Sequence, residues 1–189
     1  MSFTFKPLSI PDIILVESTV FTDLRGGFLE TFKSSEFRKA GQPDTFLQDN
    51  LSWSKKDVIR GLHYQKTPKA QGKLVSVLKG RAWDVAVDIR RGSPTFGKWV
   101  GDELTDENHA QLFIPRGFAH GFCVLSETAD VLYKCTDYYD PTDDHGLLWS
   151  DPELAIAWPV SNPLVSGKDI RQPRLCDVAA DQLPAYGDR

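Results

Sequence analysis

KLVSVLKGRAWDVAVDIR, residues 73–90, is the stretch whose reading decides the class of fold. Trp83, Val85, Val87 and Ile89 alternate with Ala82, Asp84, Ala86 and Asp88. That period of two sends successive side chains to opposite faces of a strand. Lys79 and Gly80 supply a turn before the run, so the segment reads as a β-hairpin with a polar second face.

The same period continues outward. Strands are expected over 13–21, 46–53, 58–65, 95–104, 111–115, 121–126 and 130–139, with turn residues between them at short intervals. Only SSEFRKAG, residues 34–41, reads as a helix, with Ser34 as its N-cap and Gly41 just past its end. Many short strands punctuated by Gly, Pro and Asp predict an all-β sandwich or jelly roll with a few short helices, not alternating βα units. From about Pro159 the pattern dissolves into Pro-rich, weakly periodic sequence. The expectation is one domain over 1–189, with 160–189 a C-terminal tail packed on it.

Composition narrows the function. With 189 residues and 41% hydrophobic content, the chain can bury one sizeable core but not comfortably two. A formal charge of -4 argues against broad nucleic-acid or membrane electrostatics, so an anionic ligand must be met locally. Cys123, Cys135 and Cys176 are odd in number and lack metal-type spacing, which fits reduced thiols better than a disulfide framework. The first residues lack a basic stretch followed by a long apolar run, and no segment approaches the length of a membrane span. A cytoplasmic protein is expected.

Three polar residues interrupt VIRGLHYQ, residues 58–65. By alternation Gly61, His63 and Gln65 share one strand face while Leu62 and Tyr64 take the other. Arg60 then falls on the face opposite His63, and both can meet one ligand only if the strand bulges at Gly61 or the long arginine reaches round an edge. A strand histidine taken alone is more often a packed or surface group than a catalyst. IPRGFAHGF, residues 114–122, changes that weighting, because it contains P-x-G-x-x-H, a pattern shared by cupin-type jelly rolls. A metal-binding cupin would need a second histidine at position 65, where Gln65 stands. His63 and His120 alone supply a three-ligand metal site poorly, so a metal-free site is expected.

Longer stretches carry a more specific likeness: residues 60–100, 114–139 and 146–159, together with SGKD at 166–169. From DLRGGFLETF at 23–32 to Asp169, the chain resembles the dTDP-4-dehydrorhamnose 3,5-epimerases, dimeric cupin-type enzymes that need no metal or other cofactor. The resemblance implies a jelly-roll β-sandwich and an isomerase that inverts carbons 3 and 5 of dTDP-4-keto-6-deoxy-D-glucose, on the route to dTDP-L-rhamnose. It also implies roles: His63 as base held by Asp169, Lys73 as donor to the enolate oxygen, Tyr133 as acid on the opposite face, and His120 near the sugar. Asp84 is polar in mid-strand and is given a supporting role. Arg25, Glu30, Gln48, Asp49, Asn50, Arg60, Asp144 and Lys168 form the implied nucleotide and diphosphate set. The family usually carries Glu where Asp144 stands. Strands exchange near the N-terminus in the family's homodimer, so part of this set is expected from the partner subunit.

Other classes compete. A relative on the same scaffold can invert one carbon only, or act on another nucleotide 4-keto-6-deoxy sugar. A metal-dependent cupin oxygenase or isomerase is disfavoured by Gln65. A non-catalytic sugar-nucleotide-binding module would keep the pocket without turnover.

Overall fold

A computed structural model describes residues 2–43 and 45–187. The strands are β1 (Phe3–Pro7), β2 (Ile14–Ser18), β3 (Phe21–Asp23), β4 (Gly26–Phe28), β5 (Gln48–Lys55), β6 (Val58–Tyr64), β7 (Lys73–Lys79) and β8 (Arg81–Asp88). They continue as β9 (Trp99–Thr105), β10 (Gln111–Ile114), β11 (Phe118–Val124), β12 (Thr128–Cys135), β13 (His145–Gly146) and β14 (Leu164–Val165). One short helix, α1 (Ser34–Lys39), and a few single 3-10 turns complete the described residues. No helix among them is long and apolar enough to cross a membrane.

Two six-stranded sheets carry the architecture. The first runs β1-β2-β10-β7-β12-β5; the second runs β13-β6-β11-β8-β9, with β14 added in parallel beside β6. Apart from that pair, the strand pairs are antiparallel. This is the jelly-roll sandwich that the alternating pattern predicts.

Three apolar layers follow from the alternation. Val75, Val77, Leu112, Ile114 and Val131 of the first sheet meet Ala82, Ala86, Leu104, Phe122 and Val124 of the second, forming the interior between them. Leu62, Tyr64, Val85, Val87 and Ile89 form a second layer, covered by Leu147, Leu154, Leu175 and Leu183. The third layer joins Ile14, Val16, Leu74 and Phe113 to Phe37 of α1 and to Phe3, Phe5, Phe32 and Phe46. Each fully buried aliphatic side chain contributes about 1.5–3 kcal/mol, so the tail residues Leu175 and Leu183 are part of what keeps the second sheet dry.

The expected hairpin is not formed. β7 belongs to the first sheet and β8 to the second, so Lys79-Gly80 carries the chain across the sandwich rather than back along a neighbour. Gly80 sits at φ +80°, and a Cβ there would lie 2.2 Å from the Thr128 carbonyl oxygen. A turn of this kind has the same local residues as a hairpin turn, which explains the misreading. The polar second face of β8 is likewise not a solvent face. Asp84 and Asp88 are 1% and 0% exposed and lie on the side that looks into the sandwich.

Buried carboxylates must be satisfied in place. Asp88 accepts from Arg90 N (3.0 Å), Nε (2.9 Å) and Nη2 (2.7 Å), and from the hydroxyls of Ser93 (2.5 Å) and Thr95 (2.6 Å). This knot fixes the turn that follows β8. The α1 expectation needs one correction: Ser34 is the first helical residue, and Lys33 is the N-cap, with no side-chain cap bond. Phe37, fully buried, anchors the helix by packing instead.

The bulge in β6 is present. His120 of β11 lies opposite His63, yet Phe122 lies opposite Arg60, so β6 carries one extra residue between these pairs. Gly61 takes φ +119° within it, and a Cβ there would come within 2.5 Å of Gly121 Cα. Only glycine fits this close approach of two backbones.

Candidate active site

The mouth of the sandwich holds two adjoining cavities. One, of about 490 Å³, is lined by Arg60, His63, Lys73, His120, Tyr133 and Asp169, with Ser52, Ser166 and Lys168 among the remainder. The other, of about 330 Å³, is lined by Gln48, Asn50, Gln65, Tyr139 and Asp144, and shares His63, Lys73, Tyr133 and Lys168 with the first. The residues expected to act on the substrate therefore stand at the junction of two lobes. The β6 bulge explains how Arg60 and His63 reach the same cavity despite their spacing.

His63 Nε2 lies 2.7 Å from Asp169 Oδ1. A carboxylate can only accept, so in the neutral imidazole Nε2 carries the proton and Nδ1 keeps the free lone pair. Asp169 is 3% exposed and sits on a 3-10 turn, Asp169–Arg171, just beyond β14. Its second oxygen accepts from Gly61 N at 3.4 Å, and its own N–H donates to Ser166 Oγ at 3.1 Å. Burial alone would raise the Asp169 carboxyl; the bond and charge of His63 outweigh it and hold the group below the usual carboxylate range.

A second histidine–carboxylate pair lies deeper. His120 Nε2 is 2.9 and 3.0 Å from the two oxygens of Asp84, and both residues are buried. Burial pulls the His120 pKa down against the attraction of Asp84, so the ring favours its neutral form. Lys73 extends into the site from β7 with no ion-pair partner among the described residues; its ammonium is 5.9 Å from the centre of the Tyr133 ring. Burial lowers the Lys73 pKa, opposed by Cys135, Asp84 and Asp144. Burial also raises the Tyr133 phenol, while Arg60 works the other way.

The remaining expected residues divide. Gln48 and Asn50 face the smaller lobe, where Gln48 Nε2 donates to Asn50 Oδ1 at 3.0 Å. Asp49 is turned to the opposite face of β5 and pairs with Lys134 at 2.8 Å. Asp144 accepts from Lys168 Nζ and from the Tyr139 hydroxyl (2.8 Å). Arg25 is not brought to the site: it lies on the exposed β3–β4 hairpin and pairs with Asp23. Glu30 lines neither lobe, and its Oε2 is buried without a hydrogen-bond partner among the described residues.

Ser52 and Tyr139 escaped sequence reasoning. Ser52 was legible, since Gln48, Asn50 and Ser52 follow the strand period that turns Asp49 away. Tyr139 falls at the end of the strand expected over 130–139, but β12 stops at Cys135, so its place in the lobe is set by the irregular segment that follows and not by the strand period. No group of three or more His, Cys, Asp or Glu side chains suited to a metal ion occurs among the described residues.

Comparison with known proteins agrees with this architecture. The family model for dTDP-4-dehydrorhamnose 3,5-epimerase matches residues 7–177. The chain is 54% identical over 169 residues to an enzyme of that name from Shigella flexneri, covering 89% of this chain and 93% of the relative. The corresponding Pseudomonas aeruginosa protein is 52% identical over 179 residues, covering 94% and 97%. Among solved structures, a Legionella pneumophila dTDP-6-deoxy-D-glucose-3,5-epimerase in complex with dTDP-4-keto-L-rhamnose superposes with a TM-score of 0.95. It is 47% identical, with 99% of this chain and 100% of that chain covered.

The Asp169 pairing sets a pH dependence. A carboxyl depressed in the folded state contributes stability that is complete above its unfolded pKa, near the ordinary value of 3.8, and is lost as the pH falls through the lower folded value. Denaturant unfolding in acid should show a shallower loss of stability for Asp169→Asn than for the wild type. Identical slopes would contradict the assigned pairing.

Proposed function

The chain belongs to the dTDP-4-dehydrorhamnose 3,5-epimerase family, and from that membership we propose how its own residues carry the reaction. The protein is an isomerase that epimerises carbons 3 and 5 of dTDP-4-keto-6-deoxy-D-glucose, giving dTDP-4-keto-L-rhamnose. The observation that carries the assignment of roles is the 2.7 Å contact between His63 and Asp169 at the junction of the two lobes.

A ketone at carbon 4 acidifies the C–H bonds on both sides. His63 Nδ1 removes one of these protons, and the electron pair of the broken bond moves onto the carbonyl oxygen as an enolate. Asp169 holds the ring in the required tautomer and balances the imidazolium that forms. Lys73, which forms no ion pair among the described residues, faces the enolate oxygen and stabilises the charge there. Tyr133 returns a proton to the opposite face of the carbon; the raised phenol pKa keeps the proton available until the enolate needs it. Solvent then reprotonates the phenolate and takes the proton from His63, closing the balance for a second round at the other carbon. His120, fixed by Asp84, positions the sugar.

The polar residues of the smaller lobe, Gln48, Asn50, Asp144 and Lys168, take the nucleotide, and Arg60 offers its planar fork to the diphosphate. Asp49 serves this set only from its outer face. Arg25 and Glu30 serve it from the partner of a homodimer in which N-terminal segments exchange. Exposed Phe21, Leu24 and Phe28 around Arg25, together with exposed Leu51, Trp53 and Leu78 on the first sheet, support that assembly.

Two measurements test the reading. His63→Ala should lower kcat by about a thousandfold while dTDP affinity stays near wild type, as expected for removal of a general base. Retained turnover would remove His63 from the chemistry, and loss of dTDP binding alone would favour a binding module. In analytical ultracentrifugation the wild type should sediment as a dimer and Phe28→Asp as a monomer. A monomeric wild type would overturn the shared site.

A further inference from the structure

Gln65 has no part in the chemistry above, yet it follows His63 by two residues and is only 8% exposed. Its side-chain amide is spent entirely on backbone. Nε2 donates to the carbonyls of Lys69 (2.7 Å) and Tyr138 (3.3 Å), and Oε1 accepts from Asp140 N (3.0 Å). The orientation is unambiguous, because carbonyls only accept and a backbone N–H only donates.

Tyr138 and Asp140 bracket Tyr139. The peptide group before the Tyr139 Cα is held at its carbonyl by Gln65 and at its N–H by Gln48 Oε1 (2.8 Å); the one after it is held at its N–H by Gln65. Tyr139 lines the smaller lobe, and its hydroxyl donates to Asp144, which also accepts from Lys168. The segment after β12 has no ladder of its own at this point, so these side-chain bonds are what fix its path.

We propose that Gln65 is a positioning residue for the nucleotide lobe: by gripping the backbone on both sides of Tyr139, it fixes that ring and hydroxyl against the lobe. It therefore sets affinity for the nucleotide half of the substrate without touching the reacting carbons. The inference rests on the reading that this lobe takes the nucleotide. β6 thus carries the base, His63, and the residue just past its end, Gln65, anchors the opposite wall. An apolar residue at 65 would leave the Tyr138 and Lys69 carbonyls and the Asp140 N–H without partners, and a carboxylate would face two carbonyls.

Two variants, each checked for folding by thermal unfolding, test this by titration calorimetry with dTDP and by steady-state kinetics. Gln65→Met keeps the length and removes every hydrogen bond. It should raise the dTDP Kd and the KM about tenfold, the scale of one or two lost buried bonds, with kcat within about threefold of wild type. Gln65→Glu should bind weakly at neutral pH and recover, relative to wild type at the same pH, as acid protonates the new carboxyl and gives it a donor. A kcat collapse with unchanged dTDP affinity would overturn the proposal by placing Gln65 on the chemistry of His63. Wild-type affinity in both variants would overturn it too. Should Gln65→Met fail to fold, the pH response of Gln65→Glu decides alone, and no recovery in acid counts against the proposal. A wild-type protein that does not bind dTDP would instead overturn the assignment of the lobe, and the role of Gln65 with it.

Discussion

The contact between His63 and Asp169 joins residues 106 positions apart, and much of the site's geometry exists to make it. β14 lies parallel to β6, pairing Leu164 with Val58 and Val165 with Ile59, and the turn that follows delivers Asp169 to the strand carrying His63. The same carboxylate reaches Gly61 N, inside the bulge that brings Arg60 and His63 to one cavity. Base, orienting acid and the arginine assigned to the diphosphate are therefore fixed by one short stretch of β6 and the segment beside it. A glycine at 61 is what lets β6 and β11 approach closely enough for this to occur.

Placing polar groups between the sheets works against stability, and the structure shows how the cost is contained. The Asp88 knot and the His120–Asp84 pair give buried carboxylates hydrogen-bond partners in place. Lys73 is different: among the described residues it has no carboxylate partner, only the Tyr133 ring at 5.9 Å. A buried ammonium left without a counter-ion is costly in a resting protein. Beside a ketone that becomes an enolate, it is positioned where negative charge develops, so the unfavourable resting arrangement and the catalytic one coincide.

The fold was legible wherever alternation was strong. β8 and β10 lie within the segments that period two selects, β12 overlaps its expected segment but starts at Thr128 and stops at Cys135, and the split of Leu62 and Tyr64 from His63 across β6 follows from the same rule. Pairing was less legible, because partners in a sandwich are distant in sequence and Lys79-Gly80 looks alike whether it closes a hairpin or crosses between sheets. The site shows the same division. Gln48, Asn50 and Ser52 obey the strand period, whereas taking QDN as a contiguous set ignored that Asp49 must face away. Nothing local marks Asp169, a lone acid after Gly167-Lys168, and only the family likeness brought it forward; its partner is fixed by tertiary structure.

The most direct test of the account follows solvent deuterium into the substrate. Proton NMR of dTDP-4-keto-6-deoxy-D-glucose in deuterated water, with purified protein and a chelator, should show exchange at sugar carbons 3 and 5 with formation of the L-configured product. The same experiment with His63→Asn should show neither. Exchange at both carbons that survives this substitution, or no exchange with the wild type, would contradict the central role given to the His63–Asp169 pair.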